Sequence, residues 1–523
     1  MTNLFVSGGS EGCTLIRPAR ILHALLPGLA LLLLLMIGLV VLAKGIGESP
    51  LIDWDEATYA EVAHEAVVNH SYVDFTFNGQ SYLRKPPLLF WTIAASFKAF
   101  GESEFSARLP SVVMGVGTLL LMYAMAAAEL GLVAGLMAGL VPLGFYFFVA
   151  RGGRECATDA PLIFFSTLAI FALGRARSHR GWVPVVGLAC GFALLSKGAA
   201  GLIPLSVAAI AVLAVPAFSK LGTLGLTTIV AASAAVAAPW FVYELIHNGP
   251  VFWTIYIKHE TLTRIAKHLE DKPAAAGFTA RTFIGEVRFL WPLLLPLAGL
   301  ACVAMRQWGR GMLGCIPASV RVWLLWLVVA FTAACAVQTK LGWYVLPALI
   351  PVALLGAATL AGALRQAGPP RTYCRPLAIA ALLLLPFTAA PRLAQIESDF
   401  ALQRARSRPS YEMAMRAVAF AAVRGGGELY FAGAPLPTMV YYSGMRCHFV
   451  SPSEPEFELA DLGGNPISVS YDELVLRDPG GMVTAVDNFD DEWNASGPLS
   501  ERAHPLGTQA LATMPQEVRP PPE

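Results

Sequence analysis

The chain has 523 residues, of which 56% are hydrophobic and 14% charged, with a formal net charge of +1. Soluble domains carry about 25% charged residues, so the composition excludes an ordinary soluble domain and predicts a polytopic membrane protein. The near-zero charge gives no bulk electrostatic argument for nucleic acid, and the eight cysteines form neither a metal pattern nor a disulfide framework.

Long apolar runs divide the first three quarters of the chain. A membrane-spanning helix needs roughly 20 mostly apolar residues, and the runs predict about 11–13 such helices. The first lacks a clean small-residue cleavage site, so it is predicted to be a retained helix rather than a signal peptide. The predicted spans are Leu25–Ala43, Pro110–Ala128, Gly131–Ala150, Pro161–Gly174, Trp182–Leu195, Ala199–Phe218, Leu221–Val242, Phe289–Met305, Val322–Val337, Leu341–Leu364 and Pro376–Pro391.

Short loops rich in Lys and Arg predict the orientation, because such loops stay in the cytoplasm. With these spans, the loops on one side contain Arg17, Arg20, Arg175, Arg177, Arg180, Lys220, Arg306, Arg310, Arg321, Arg365, Arg371 and Arg375. The opposite side also carries cations, Arg151 and Arg154 among them, so the asymmetry is incomplete. The loops therefore predict a multi-pass membrane protein with the less basic loops outside the cytoplasm.

This topology predicts three parts. Residues 1–22 form a cytoplasmic N-terminus, and residues 23–391 form an all-α transmembrane domain. Residues 392–523 form a small extracytoplasmic α/β domain, with strand-like pieces such as "ELYFAG" and a disordered tail. The predicted outer loops of the transmembrane domain are 45–108, 151–160 and 243–288, and the short apolar segment Pro86–Phe100 is predicted to lie in the membrane interface.

Nearly every unusual polar group falls in these outer loops. The stretch "LIDWDEATYAEVAHEA" holds Asp55 and Glu56, and "NGQSYLRKPPLLFW" holds Arg84 and Lys85. Further stretches are "RGGRECATDAPLIFF" with Asp159, "LLSKGAAGLIP" with Lys197, "YIKHETLTRIAKH" with Arg264, and "VQTKLGWYVLPALIP" with Lys340 and Tyr344. Charges at membrane depth are costly and usually functional. Cations there can hold a lipid-linked phosphate while a carboxylate accepts a proton from an attacking hydroxyl.

These motifs resemble the bacterial ArnT/PMT-like glycosyltransferases. The resemblance covers about residues 20 to 390 and rests on "DEATYAEVAHEA", "YLRKPPLLFW", "TDAPLIFF", "LLSKGAAGLIP" and "KLGWYVLPALIP". It implies the GT-C fold, a polyprenyl-phosphate sugar as donor, and a location in the bacterial inner membrane with the active site on the extracytoplasmic side. It also implies an acceptor such as lipid A, a cell-envelope glycan or a protein. The motifs identify neither the sugar nor the acceptor.

The resemblance also implies roles for single residues. Asp55 matches the essential loop carboxylate and is the candidate base, Lys85 matches a lysine that contacts the donor phosphate, and Asp159 matches the acid of the second outer loop. Arg264 and Tyr344 match further phosphate contacts. Relatives often have Glu where this chain has Arg84, and that Glu can bind a metal. Arg84 argues against such a site, so no cofactor is predicted.

The predicted site therefore contains catalytic and substrate-binding groups. The catalytic candidates are Asp55, Asp159 and Glu56; the substrate-binding candidates are Lys85, Arg84, Tyr59, Tyr82, Arg264, Lys340, Tyr344 and Lys197. Structural explanations stay open for several of them. The aspartates can cap helices, Lys85 can extend along the lipid interface, and Lys197 and Lys340 can flank spans.

Together these features predict an inverting membrane glycosyltransferase. Its predicted partners are a polyprenyl-phosphate sugar, a lipid, glycan or protein acceptor, and the bilayer, with no nucleic acid. Two alternatives remain. A transporter or flippase would be expected to show inverted repeats and broken helices in matching halves, which the sequence does not display. A non-catalytic envelope assembly protein would not need the loop carboxylates.

Overall fold

The computed structural model describes most of the chain. The described ranges are 18–267, 277–306, 316–366, 370–424, 426–432, 436–450, 456–460, 466–470, 473–477 and 483–488. Most of the predicted cytoplasmic N-terminus and the predicted disordered tail beyond residue 488 lie outside these ranges. The all-α transmembrane fold predicted from the sequence is confirmed, since helices dominate the described residues up to 424.

Eighteen α-helices are present in the described residues. They are α1 (Pro18–Ala43), α2 (Asp55–Val68), α3 (Leu88–Phe100), α4 (Glu104–Leu130), α5 (Leu132–Leu140), α6 (Tyr146–Val149), α7 (Asp159–Ala176), α8 (Val183–Lys197), α9 (Leu202–Ala214), α10 (Gly222–His247), α11 (Gly249–Phe252), α12 (Arg264–Ala266), α13 (Phe278–Val287), α14 (Leu294–Arg306), α15 (Ala318–Ala336), α16 (Leu346–Leu364), α17 (Arg371–Arg424) and α18 (Pro437–Ser443). Two π-helical stretches, Ala150–Arg154 and Trp253–Thr263, adjoin α6 and α12.

Nine helical stretches in the described ranges are long and apolar enough to cross a membrane, and a bent pair makes a tenth. The pair consists of Leu132–Gly144 and Tyr146–Arg154, which meet at an angle of 86°. One of the nine, Arg180–Ala214, contains both α8 and α9. Counting that stretch as two spans gives eleven, within the range that the sequence predicts.

The helices α8 and α9 run in opposite directions. A Cβ atom added to Gly187 would meet the carbonyl of Ile229, and one added to Gly191 would meet Val236, so α8 and α10 run side by side in parallel. Arg180, just before α8, donates a 2.9 Å hydrogen bond to the carbonyl of Lys220, just before α10. The chain must therefore return across the bundle through α9.

The same reasoning separates the two ends of the bundle. At one end, Arg180 lies beside Lys220, and Arg177 after α7 pairs with Glu129 near the end of α4. At the other end lie the starts of α4 and α7 and the end of α8. The helices α2 and α3 cover this second end, where α3 packs against α2, α4 and α8. The segment predicted to lie in the interface thus forms the short helix α3.

The long helix α17 runs past the predicted end of the transmembrane domain. It continues for 54 residues from Arg371 to Arg424, through Pro376, Pro386, Pro391 and Pro409. The helix therefore does not end at Pro391, where the sequence predicted the membrane domain to stop. A proline removes one backbone donor from a helix, but in a membrane helix neighbouring groups can compensate.

Short strands follow α17. The four-stranded sheet has the order β4-β3-β7-β8, and a separate antiparallel pair joins β5 and β6. Their bounds are β3 (Glu428–Ala432), β4 (Cys447–Val450), β5 (Glu456–Ala460), β6 (Pro466–Ser470), β7 (Glu473–Arg477) and β8 (Val483–Asn488); β1 (Thr76–Phe77) and β2 (Gln80–Ser81) form a hairpin in the first outer loop. β3 and β4 are parallel and are joined through α18.

Close helix packing fixes the backbone next to the second end of the bundle. The apolar core of the bundle joins residues of α1, α4, α5, α7 and α16. A Cβ atom added to Gly115 of α4 would lie 2.7 Å from the carbonyl oxygen of Gly152. The π-helical stretch Ala150–Arg154 therefore lies directly on α4, a close approach that glycine permits.

Candidate active site

Asp55 is the first residue of α2 and lies at the open face of the site. Its Oδ1 accepts a 3.0 Å hydrogen bond from the hydroxyl of Tyr59, one turn further along the helix. Its Oδ2 pairs with the guanidinium of Arg151. Its side chain remains 35% exposed, so one side of the carboxylate is accessible. The preceding Trp54 has φ 73°, an unusual conformation for a residue other than glycine.

Arg151 is the central residue of this site, and the sequence analysis did not predict it. It lies in the π-helical stretch, and its nitrogens are 3.4 Å from carboxylate oxygens of Glu155 and Asp159. Its guanidinium also lies 4.4 Å from the centre of the Trp343 ring. One arginine thus connects Asp55 of the first outer loop with Asp159 of the second.

Asp159 and Lys197 extend the contacts across the bundle. Asp159 begins α7 and Lys197 ends α8, so each charge complements the partial charge of its own helix end. Their side chains are 2.6 Å apart. The Asp159 side chain is only 2% exposed, and its ion-pair contacts are with the two cations Arg151 and Lys197.

A second group of charges surrounds Lys85. The Lys85 ammonium is 2.9 Å from the carboxylate of Glu260, and Arg264 is 3.2 Å from the same carboxylate. Tyr344 also lies close enough to Arg264 for the two side chains to interact. Tyr344 in turn presents its ring 5.6 Å from the ammonium of Lys197.

The two groups therefore form one continuous series of contacts. It runs through Asp55, Arg151, Asp159, Lys197, Tyr344, Arg264, Glu260 and Lys85. We call this set the ionic series. Its residues lie in α2, in the segment before α3, in both π-helical stretches, in α7, α8 and α12, and in the turn before α16. The charges meet because these elements begin or end at the same end of the bundle.

The electrostatics of the ionic series favour an ionised carboxylate at Asp55. Burial raises the pKa of Asp55, but Arg151, Lys85 and Lys197 lower it by more, so that it lies at about 2. Burial also opposes ionisation of Glu260, and Lys85 and Arg264 again outweigh it and lower its pKa. Glu155 behaves differently, because burial raises its pKa to about 7 despite its contact with Arg151.

Two predicted tyrosines surround Asp55. Tyr59 is buried, and burial followed by the charge of Asp55 raises its pKa well above 10. Tyr82 packs edge-on against Phe90. Its pKa is raised by burial and by the charges of Asp55 and Glu260. Both phenols therefore stay protonated, and Tyr59 acts as a hydrogen-bond donor that orients the Asp55 carboxylate.

Glu56 does not join the ionic series, although it was predicted to be catalytic. Both of its oxygens bind Arg108, at 2.9 and 2.8 Å. They also accept backbone N–H bonds from Ile52 and Cys156. With a 2% exposed side chain and all four contacts within the protein, Glu56 holds the start of α2 against α4 and the second outer loop. These contacts fix the first turn of α2, on which Asp55 lies.

Two further predicted cations have different surroundings. The Lys340 ammonium donates to the carbonyls of Ala334, Cys335 and Val337, so its contacts are those of a cap at the end of α15. Arg84 is exposed. Among the described residues, no hydrogen-bond or ion-pair partner is found for the Arg84 side chain, in contrast to the neighbouring Lys85.

The described residues give no support for a metal centre. Within the ranges that the structure describes, no group of three or more His, Cys, Asp or Glu side chains is placed to hold an ion. At the position where a family resemblance would supply a glutamate ligand, the chain has the cation Arg84. The donor set therefore does not fit a metal of that kind.

The sequence analysis missed Arg151, Glu155 and Glu260. Arg151 and Glu155 lie inside the quoted stretch "RGGRECATDAPLIFF", and Glu260 lies inside "YIKHETLTRIAKH". Their signal was the same as for the predicted residues, namely a charge next to a membrane span. Nothing in the spacing shows which of several such charges face one another.

Comparisons with known proteins agree with the resemblance predicted from the motifs. A family model described as dolichyl-phosphate-mannose-protein mannosyltransferase matches residues 84–243. The chain is 27% identical over 346 residues to an undecaprenyl phosphate-alpha-4-amino-4-deoxy-L-arabinose arabinosyl transferase of Pseudomonas fluorescens, with 64% of this chain and 57% of that protein covered.

A similar transferase from Pseudomonas aeruginosa is 30% identical over 324 residues, with 60% of this chain and 56% of that protein covered. The chain thus spans between half and two thirds of the length of these relatives. The crystal structure of ArnT from Cupriavidus metallidurans bound to undecaprenyl phosphate has a TM-score of 0.61 at 20% identity. That match covers 81% of this chain and 86% of ArnT, so the two share a fold.

Proposed function

We propose that this chain, a member of the ArnT/PMT-like group with the GT-C fold, is a membrane glycosyltransferase that uses a polyprenyl-phosphate sugar. The observation that carries the proposal is the ionic series. It connects an accessible, ionised carboxylate at Asp55 with two partly exposed cations, Lys85 and Arg264. A base at one end and phosphate-binding groups at the other are what transfer from a phosphate-linked sugar requires.

The proposed reaction is a single displacement at the anomeric carbon. The acceptor oxygen forms a bond to that carbon while the bond to the phosphate oxygen breaks, and the leaving phosphate keeps the electron pair. Asp55 takes the hydroxyl proton. A carboxylate of pKa about 2 is a weak base, but the hydroxyl becomes strongly acidic as its oxygen bonds to carbon, so late proton transfer is sufficient. One displacement inverts the anomeric configuration.

Lys85 and Arg264 have the complementary task in this proposal. The departing phosphate gains negative charge as its bond to the sugar breaks, and nearby cations stabilise that growing charge more than the ground state. Arg151 and Lys197 set the position of the carboxylates and keep Asp55 ionised. Tyr59 fixes the orientation of the Asp55 carboxylate through its hydrogen bond.

The names of the relatives support an undecaprenyl-phosphate-like carrier for this chain. The apolar helices around the ionic series would accommodate its isoprenoid tail. We propose an acceptor of the cell envelope, which can be lipid A, a glycan or a protein. The site lies at the end of the bundle opposite Arg177 and Arg180, so the positive-inside rule supports an extracytoplasmic active site in the inner membrane.

Replacing Asp55 tests the reaction. Asp55→Asn removes the basicity but nearly keeps the shape, and Arg151 retains Glu155 and Asp159 as partners. We expect the variant to fold and to lose at least a hundredfold of its transfer rate, in the range typical of a lost general base. Transfer from synthetic undecaprenyl-phosphate sugars to envelope lipid acceptors in nanodiscs is the measurement.

The matched control is Asp74→Asn in the same outer loop. Asp74 is exposed and accepts a hydrogen bond from Tyr243, outside the ionic series. We expect its activity to stay within a few-fold of the parent. If Asp55→Asn keeps a comparable rate, Asp55 is not the base.

The orientation has its own test. Single cysteines introduced at Gln80 and Ser178 occupy exposed positions at opposite ends of the bundle. Both are placed in a chain whose native cysteines have been replaced, because Cys302 and Cys335 are exposed. An impermeant thiol reagent applied to spheroplasts should label the first position and spare the second. The reverse pattern would put the site in the cytoplasm, where sugar nucleotides are available, and would contradict the lipid-linked donor.

A further inference from the structure

Glu260 occupies the position between the two cations that the proposed function assigns to the donor phosphate. One of its oxygens lies 2.9 Å from Lys85 and 3.2 Å from Arg264. Among the residues that the structure describes, it is the only carboxylate within ion-pair distance of either cation. Its side chain is 5% exposed, whereas Lys85 and Arg264 remain 23% and 24% exposed.

The charges of Lys85 and Arg264 explain why a carboxylate lies between them. Two cations facing one partly buried position would repel each other, and a buried charge without a partner is costly. Glu260 lowers that repulsion. A bound phosphate would supply the same compensation, and Lys85 and Arg264 cannot donate the same hydrogens to both anions at full strength.

We propose that Glu260 is an internal competitor of the carrier phosphate, which pairs with Lys85 and Arg264 between catalytic cycles and releases them to the phosphate on binding. The proposal rests on the proposed function and adds a mechanism for release of the spent carrier. Glu260 lies in the π-helical stretch Trp253–Thr263. Such stretches have irregular hydrogen bonding and are frequent at functional sites.

Competition of this kind affects the product more than the donor. The sugar-linked carrier is a phosphate diester with one negative charge, while the free carrier is a monoester with a charge of about −1.5 to −2 near pH 7. Lys85 and Arg264 therefore bind the free carrier, which is a product of the reaction, more strongly than the sugar-linked donor. An anion that recaptures Lys85 and Arg264 accelerates release of the product and keeps turnover from stalling.

The test compares Glu260→Gln with the unmodified protein. Glutamine keeps the size and one oxygen acceptor but removes the competing charge. We expect undecaprenyl phosphate to bind about tenfold more tightly, and to inhibit transfer at correspondingly lower concentration. Turnover should fall under multiple-turnover conditions, while the single-turnover rate stays the same or rises. Affinity for undecaprenol, which has the tail but no phosphate, should not change.

Three variants separate the possible outcomes. Glu260→Asp restores the charge and should return the affinity toward that of the parent. Glu244→Gln, a buried glutamate of α10 whose partner is Asn248, should change nothing at the phosphate. Lys85→Ala should weaken undecaprenyl phosphate binding, and if it does not, the proposed phosphate site itself is wrong.

If Lys85→Ala weakens binding and Glu260→Gln weakens it too, the proposed function stands and the competitor role is overturned. Glu260 would then hold the cations in place while the phosphate binds beside it. Unchanged affinity in Glu260→Gln would overturn the competitor role as well. Thermal unfolding of each variant establishes that the binding data come from folded protein.

Discussion

Asp55 and Glu56 are adjacent in the chain, yet the structure places their carboxylates in two different environments. Asp55 faces an open site with Arg151 and Tyr59 and stays 35% exposed. Glu56 points into the protein, where Arg108 and two backbone N–H groups satisfy it completely. Consecutive side chains of an α-helix point about 100° apart, because one turn contains about 3.6 residues, and this rotation is sufficient to separate the two carboxylates.

The difference separates an accessible carboxylate from an enclosed one. Both have a lowered pKa despite burial, because each lies beside an arginine. The pKa direction therefore does not discriminate between them. Accessibility and spare hydrogen-bonding capacity distinguish the two carboxylates, because Asp55 has a face that a substrate can reach and Glu56 has none. Removing each carboxylate should consequently affect different properties of the protein.

The largest expected effect is a loss of folding stability in the Glu56→Gln variant. The substitution leaves the buried guanidinium of Arg108 without its counter-charge. Breaking a buried ion pair in this way typically costs about 3–5 kcal/mol. We expect lower yield and a clearly lower unfolding temperature in detergent, whereas Asp55→Asn should unfold close to the parent. Glu48→Gln, at an exposed glutamate, is the matched control.

The comparison fails if Glu56→Gln is as stable as the parent but inactive. Glu56 would then belong to the chemistry, as the sequence analysis predicted. A stable variant that is also active would remove the positioning role.

An intermediate effect is expected for the Arg151→Gln variant, in the pH dependence of its activity. Protonation inactivates Asp55, so activity is lost as the pH falls through its pKa. With that pKa at about 2, Asp55 gives no acid limb between pH 5 and 8 in the unmodified protein. Arg151 is the main group that lowers the pKa, so its loss raises the pKa and moves the acid limb of kcat/KM to higher pH.

The matched control is Arg177→Gln, because Arg177 pairs with Glu129 at the opposite end of the bundle. Its profile should follow that of the parent. An Arg151→Gln profile that also follows the parent, with measurable activity, would mean that Arg151 does not control the ionisation of Asp55.

The smallest effect is expected for Lys340→Gln. Its ammonium contacts carbonyls at the end of α15, and a cation at a helix C-terminus contributes about 0.3–1 kcal/mol. We expect a small decrease in unfolding temperature and unchanged undecaprenyl phosphate affinity. Lys85→Gln should instead weaken that affinity by about ten- to a hundredfold, since charge-assisted contacts contribute roughly 1.5–3 kcal/mol.

If Lys340→Gln weakens phosphate binding as strongly as Lys85→Gln, Lys340 is a substrate-binding residue, as predicted from the sequence. The capping contacts would then be secondary. Lys85 and Lys340 thus form a second pair of like charges. Lys85 lies in the ionic series, whereas Lys340 contacts the end of a helix.

Local chemistry alone determined much of this protein. Runs of apolar residues specify membrane helices because lipid offers no partner for an open backbone, and charges beside those runs mark a functional face because they are costly there. The motifs around Asp55, Lys85, Asp159 and Tyr344 were sufficient to indicate the resemblance and its fold. All four lie in the ionic series.

Only the tertiary structure decided which charges meet. Arg151 reaches Asp55 because Gly115 lets the π-helical stretch approach α4, and Glu260 reaches Lys85 across 175 residues of sequence. The same packing removes Glu56 from the site and directs Lys340 to a helix end. These pairings depend on helix contacts far apart in the chain, whereas sequence patterns report only on neighbours a few residues away.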